Sequence, residues 1–300
     1  MSRAGRTATE TGMLMMTVAM LVLPCIDAVA KSLAGIVPPA EIALARFLVQ
    51  TLVLLPLVLK AGPFRSPAVF GVNAARGALI MLATMFFFWA LQYLPLAEAI
   101  AIFFVEPLIL TLLSPVLLKE PVGWRRLLAV FVGFGGALLI IRPTFQDTGW
   151  PALLPLAAAL CFAFYLVLTR RMATGMDPVL MQFQAGLGGA VTATALLLAG
   201  WWSGWLPNVI LPVLPDMQSI LLLLLLGLIA TGGHILVVHA FRRAGASILA
   251  PFQYLEIISA TLLGYLIFGD FPDAITWTGI AIIVGSGLFV FYRERRLQEA

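Results

Sequence analysis

The chain's apolar residues fall into ten runs of about 20 residues: 11–33, 41–59, 72–93, 97–118, 124–141, 150–169, 178–199, 218–241, 247–268 and 274–292. A hydrocarbon core of ~30 Å needs about 20 apolar residues for one helical crossing. These runs are too long for barrel strands and lack their period-two alternation. Of 300 residues, 62% are hydrophobic and 11% charged, against about 25% charged in an ordinary soluble domain. So little polar surface cannot cover a water-facing globule. The fold class expected is all-α integral membrane, with ten transmembrane helices.

The net charge is +4, and its distribution rules out a polyanion site. Arg3 and Arg6 precede helix 1, Lys60 and Arg65 follow helix 2, and Lys119, Arg125 and Arg126 separate helices 4 and 5. Arg170 and Arg171, Arg242 and Arg243, and Arg293, Arg295 and Arg296 follow helices 6, 8 and 10. Alternate loops carry almost no basic residue, Arg142 excepted. Basic residues concentrate in cytoplasmic loops, so both termini are predicted to be cytoplasmic and no nucleic-acid partner is expected.

A slide of 150 positions superposes Glu106 on Glu256, Ala90 on Ala240, Thr111-Leu112-Leu113 on Thr261-Leu262-Leu263, and Glu120 on Asp270. The chain therefore divides into repeats at 10–143 and 148–293, joined by Pro143–Asp147. Five helices per repeat is an odd number, so the second copy must enter the membrane from the opposite side. Such inverted repeats recur in secondary transporters, whose sites lie at the midplane between the copies. Arg3, Arg6, the run from Met13 to Leu23 and Ala28-Val29-Ala30 imitate a signal peptide with its cleavage site. Removing that segment would break the five-plus-five pattern, so it is read as helix 1.

Glu106 and Glu256 are each the tenth residue of their run, about 13–15 Å deep at 1.5 Å per residue. Intramembrane carboxylates cost about 2.5–3.5 kcal/mol on insertion scales and by default mark function. They are candidates for binding a cationic or zwitterionic substrate or for taking up protons; the alternative is a neutral, hydrogen-bonded packing group. Asp27 and Lys31 stand four apart on one helical face, the favourable order for an ion pair, with Arg46 near enough in depth to join them. Trp89, Tyr165, Tyr254 and Gln253 are cavity candidates because their polar atoms need partners when buried. His234 can shuttle protons or simply pack. Arg76 is expected to snorkel to the interface, and Glu120 and Asp270 to serve turn and helix-dipole chemistry.

Gly133-Phe134-Gly135-Gly136 and Gly285-Ser286-Gly287 follow no strand, so they are read as close-packing positions within the bundle or between subunits. Trp201, Trp202 and Trp205, in the longest loop, read as interfacial anchors. Cys25 and Cys161 are lone small residues inside spans.

Ala90-Leu91-x-Tyr93-Leu94-Pro95-Leu96-Ala97-Glu98-Ala99, Lys119-Glu120-Pro121 and Val132-Gly133-Phe134-Gly135-Gly136 resemble the EamA-type family of the drug/metabolite transporter superfamily. Ala250-Pro251-Phe252-x-Tyr254 and Phe268-Gly269-Asp270 repeat the theme, with Asp where the family's last turn usually has Glu. Asp27-Ala28-x-x-Lys31, Arg46 and Arg76-Gly77 are similar to the subgroup of riboflavin and S-adenosylmethionine carriers. The resemblance implies a central cavity lined mainly by helices 1, 3, 4, 6, 8 and 9, with no bound cofactor and no nucleotide hydrolysis. The expected function is secondary transport of a small organic metabolite across the inner membrane, by a monomer or homodimer. Amino acids or related zwitterions, exported, are the leading substrates; uptake of riboflavin or S-adenosylmethionine-like compounds is the alternative. A membrane-embedded lipid enzyme would need Asp-rich or His-rich clusters at a membrane face, which this sequence lacks.

Overall fold

A computed structural model describes residues 3–61, 67–118, 123–172, 177–244 and 246–298. The described residues are helical with connecting turns. In chain order the helices are α1 (Arg3–Val22), α2 (Pro24–Ser32), α3 (Pro39–Ala61), α4 (Pro67–Ala90), α5 (Leu96–Phe103), α6 (Glu106–Leu113) and α7 (Trp124–Thr148). They continue as α8 (Leu154–Met172), α9 (Pro178–Ser203), α10 (Pro207–Ile210), α11 (Met217–Arg243), α12 (Ala246–Gln253), α13 (Leu255–Leu263) and α14 (Ala274–Gln298). Among the described residues, nine helical stretches are long and apolar enough to cross a membrane, and Ala274–Val290 forms a shorter tenth apolar helix. This is a multi-pass membrane protein. Exposed Leu52, Leu138, Leu198 and Leu228 have lipid, not water, as their natural contact.

Three of these stretches are broken where sequence periodicity alone predicts continuous helices. Leu23 separates α1 from α2, Phe104 and Val105 separate α5 from α6, and Tyr254 separates α12 from α13. Pro24 and Pro107 lack the N–H that would continue the ladder. Around the second break, Val105 N–H turns to Ile102 O (3.2 Å) instead of a residue four back. Tyr254 sits at the equivalent point of the second half with Ile257, not proline, where the first half has Pro107. Proline is therefore not the general cause of the break. Ser114–Leu118 and Gly264–Phe268, again 150 positions apart, both form one π-helical stretch.

Helix packing has a two-fold pattern. The α7–α14 and α3–α9 contacts each join helices that occupy equivalent places in the two halves. The α4–α8 contact has its counterpart in α1–α11, and α4–α9 has its counterpart in α3–α11. Close backbone approach at α4–α9 depends on Gly188, where a Cβ would stand 2.8 Å from Ala74 Cα. Gly136 is likewise pressed against Ile282, whereas Gly135 and Gly285 face open space. The glycine clusters thus serve packing within the bundle, with one glycine of each facing outward.

One boundary expectation changes. Pro143–Asp147 is not a linker: α7 runs through it to Thr148 and stops at Gly149, whose φ of 75° suits glycine. Pro143 is tolerated inside the helix, and the next residue's hydroxyl, Thr144 Oγ1, donates to Ile140 O at 2.9 Å. Aspartates cap two of the helix starts. Asp177 accepts from Val179 and Leu180 N–H, and Asp273 accepts from Thr276 N–H at 2.7 Å. The Thr276 bonds hold the Asp273 carboxyl below the usual carboxylate range. Trp201, Trp202 and Trp205 are exposed.

Candidate functional site

A cavity of about 250 Å³ lies inside the bundle. Its polar lining is Asp27, Arg46, Thr84, Glu106, His234, Gln253 and Glu256, and aromatic walls come from Phe87, Phe88, Phe103, Phe104 and Phe162. In span order, helices 1, 2, 3, 4, 6, 8 and 9 all contribute. The family resemblance implied this set except for helix 2, which enters through Arg46.

The three helix breaks organise the cavity's charge. Asp27 lies in the first turn of α2, Glu106 in the first turn of α6 and Glu256 in the first turn of α13. The first turn of a helix exposes backbone N–H groups and carries the positive end of its dipole. Each carboxylate is thereby set where negative charge is best tolerated away from water. Helix interruption in a membrane is itself viable only where the freed backbone is covered by protein or lines a cavity. The same interruptions supply both the space and the field.

Asp27 and Glu256 both line the cavity, within electrostatic reach of one another. Asp27 also attracts Arg46, although no ion pair forms between them among the described residues. Arg46 is 8% exposed; its Nη1 donates to Thr84 Oγ1 and its guanidinium stands 5.1 Å from the Phe47 ring. His234 Nδ1 is 2.7 Å from Ala230 O. A carbonyl only accepts, so Nδ1 carries the proton and Nε2 is left as an acceptor in the neutral ring.

Four sequence candidates lie outside the lining. Lys31 does not pair with Asp27: it reaches Asp270 at 2.6 Å and Leu94 O at 3.1 Å, and lies over the Phe268 ring. Asp270 is accordingly an ion-pair residue rather than only a turn residue, while Glu120 lies outside the described residues. Trp89 is buried edge-on against Trp150 at 5.0 Å. Tyr254 packs on Phe104 at 5.4 Å and against Gly287.

Tyr165 belongs to a separate polar cluster. Arg76 Nη2 donates to its hydroxyl at 3.3 Å, Arg76 Nε to Thr169 Oγ1 at 2.9 Å, and Arg76 Nη1 to Asn73 Oδ1 at 2.6 Å. Arg76 is 1% exposed, so it is a buried network residue and does not snorkel. Polar partners on α8 make burial tolerable, where a lone arginine would have had to reach water.

Sequence reasoning missed Thr84 and did not single out the phenylalanines. Helical phase carries the missing signal: Ile80, Thr84, Phe87 and Phe88 repeat at three- and four-residue intervals on α4. Trp89, five residues past Thr84, is turned about 140° away.

The EamA-like transporter family model matches residues 10–142 and again 149–292. An S-adenosylmethionine uptake transporter of Rickettsia bellii is 28% identical over 272 residues, covering 90% of this chain and 89% of its own. A riboflavin transporter of Vibrio cholerae is 30% identical over 291 residues, covering 95% and 94%. One solved crystal structure superposes with a TM-score of 0.62 at 22% identity, covering 96% of this chain and 99% of that one, which bears on the fold alone. The relatives are bacterial and named as transporters, which puts a multi-pass chain of this kind in the inner membrane. The paired family matches and the all-helical bundle agree: the chain belongs to the EamA-like transporter family.

Proposed function

We propose that this chain is a secondary carrier that takes up a small metabolite with an aromatic ring system, of the S-adenosylmethionine or riboflavin kind, by alternating access. The observation that carries the reading is the cavity, where phenylalanine rings surround three carboxylates set at the starts of half-helices. A relative named as an S-adenosylmethionine uptake transporter and one named as a riboflavin transporter, each matched along most of its length, support such compounds over exported amino acids.

The architecture proposed with it is two inverted repeats of five helices, 10–143 and 148–293, with both termini cytoplasmic and α14 as the tenth crossing. Long-range polar contacts agree with this topology. Lys31 meets both Leu94 O and Asp270, Glu98 meets Thr144, and Glu41 meets Val213 N–H; in this topology all these residues fall on the outer side. Arg242 and Asp177, 3.5 Å apart, both fall on the inner side.

Radiolabelled S-adenosylmethionine and riboflavin, offered separately to proteoliposomes, test the function. Saturable uptake with counterflow is expected for one of them. Unsaturable flux without counterflow would indicate a channel, and no flux above empty vesicles for either would remove the assignment.

A further inference from the structure

We infer that Arg46 is the carboxylate-recognising residue of the cavity and that Asp27 and Glu256 form its cation-recognising side, so the carried molecule is a zwitterion with an aromatic body. The inference rests on reading the cavity as the transport site and narrows its substrate class.

A guanidinium presents five N–H donors in a planar fork that matches a carboxylate. In the cavity Arg46 commits one nitrogen to Thr84, and its buried Nε has no hydrogen-bond partner. Buried polar groups left unsatisfied are costly and in native proteins call for a ligand, ion or water. Asp27 and Glu256 line the same cavity within electrostatic reach of one another, and neither accepts a hydrogen bond among the described residues. Each side thus lacks what the other half of a zwitterion would bring.

Direct neutralisation inside the protein would have been the simpler solution, because Asp27 is the charge that faces Arg46. The two nevertheless stay unpaired and both line the cavity. A bound carboxylate on Arg46 and an ammonium or sulfonium centre on Asp27 and Glu256 would complete both without displacing an existing bond to a charged partner. Phe87, Phe103 and Phe162 then offer apolar ring surface for the remaining body, with Phe103 stacked edge-on against both of the others at 5.5 Å. A flavin has no carboxylate for the guanidinium, so Arg46 separates the two kinds of molecule that the relatives' names offer.

The test is equilibrium binding of labelled S-adenosylmethionine to the purified full chain, with competition by unlabelled S-adenosylmethionine, its decarboxylated analogue and riboflavin. Loss of a charge-assisted bidentate contact is expected to weaken the decarboxylated analogue more than about tenfold. Arg46→Gln should weaken S-adenosylmethionine to the analogue's level while leaving the analogue's own affinity unchanged, and Arg46→Lys should lie between. Equal competition by parent and analogue in the wild type overturns the inference even if the variants fail to fold. Equal loss of both ligands in a folded Arg46→Gln overturns it as well. Binding and transport of riboflavin alone would leave the uptake reading standing and defeat the zwitterion; binding of neither compound would defeat both.

Discussion

Glu106 and Glu256 lie 150 positions apart, and each occupies the first turn of a short helix that begins just after a break in its span. Asp27 repeats the arrangement after the break at Leu23. The duplication accounts for the equivalent places of the two glutamates in the two halves. The helix starts account for something depth alone does not: why carboxylates are tolerable there at all.

The Lys31–Asp270 pair, with Lys31 also bound to Leu94 O, ties α2 to the turn before α14 and to the turn between α4 and α5. If those ends must part during transport, the bond is a latch on one side of the cavity. Lys31→Gln is expected to raise, by several-fold, labelling of a cysteine placed at cavity residue Ile100 by an impermeant thiol reagent added outside, in a Cys25→Ser, Cys161→Ser background. The exchanged pair Lys31→Asp with Asp270→Lys should return labelling toward its starting rate. Equal labelling in all three proteins would show that the pair holds nothing closed.

Arg76 has donors committed to Asn73, Thr169 and Tyr165, and its guanidinium lies 5.0 Å from the Tyr165 ring. Replacing it by leucine would strand several buried acceptors, at a cost of about 1–3 kcal/mol for each group left unsatisfied. The thermal midpoint of Arg76→Leu in detergent is expected to fall well below that of the wild type. Arg76→Lys should also lose stability, because an ammonium cannot reproduce the planar fork. A midpoint unchanged in both would mean the network contributes little.

Gly188 and Gly135 offer a matched pair of substitutions. A side chain at Gly188 meets the α4 backbone at Ala74, whereas one at Gly135 meets nothing within 4 Å. Gly188→Leu is expected to destabilise by about 1–3 kcal/mol or more from overpacking, and Gly135→Leu to leave the melting curve in place. Loss of dimer on size-exclusion chromatography in Gly135→Leu alone would instead assign that open face to a subunit contact.

The ten apolar runs were legible because lipid imposes a length and a polarity on every crossing. The equivalent placement of Glu106 and Glu256 was legible because a gapless duplication carries position from one copy to the other. What escaped were properties set by partners far away in sequence. Lys31 finds Asp270 across 239 positions, so its spacing to Asp27 was a misleading local clue. Arg76 is buried because Thr169 and Tyr165 arrive from α8. The breaks at Leu23 and Tyr254 were hidden for another reason: apolar composition stays continuous through a helix interruption. Trp89 and Tyr165 satisfied the rule that polar aromatic atoms seek partners, but tertiary packing set them outside the cavity lining.

Counterflow of labelled S-adenosylmethionine in proteoliposomes, run side by side for the wild type, Asp27→Asn, Glu106→Gln and Glu256→Gln, tests most directly whether the half-helix carboxylates make the transport site. Each substitution keeps the side chain's shape and removes its charge, and loss of one charged contact corresponds to roughly tenfold or more. The expected result is a loss of at least about that size in Asp27→Asn and Glu256→Gln, a measurable loss in Glu106→Gln, and wild-type melting curves throughout. Wild-type counterflow in all three folded variants would contradict a site built on these carboxylates.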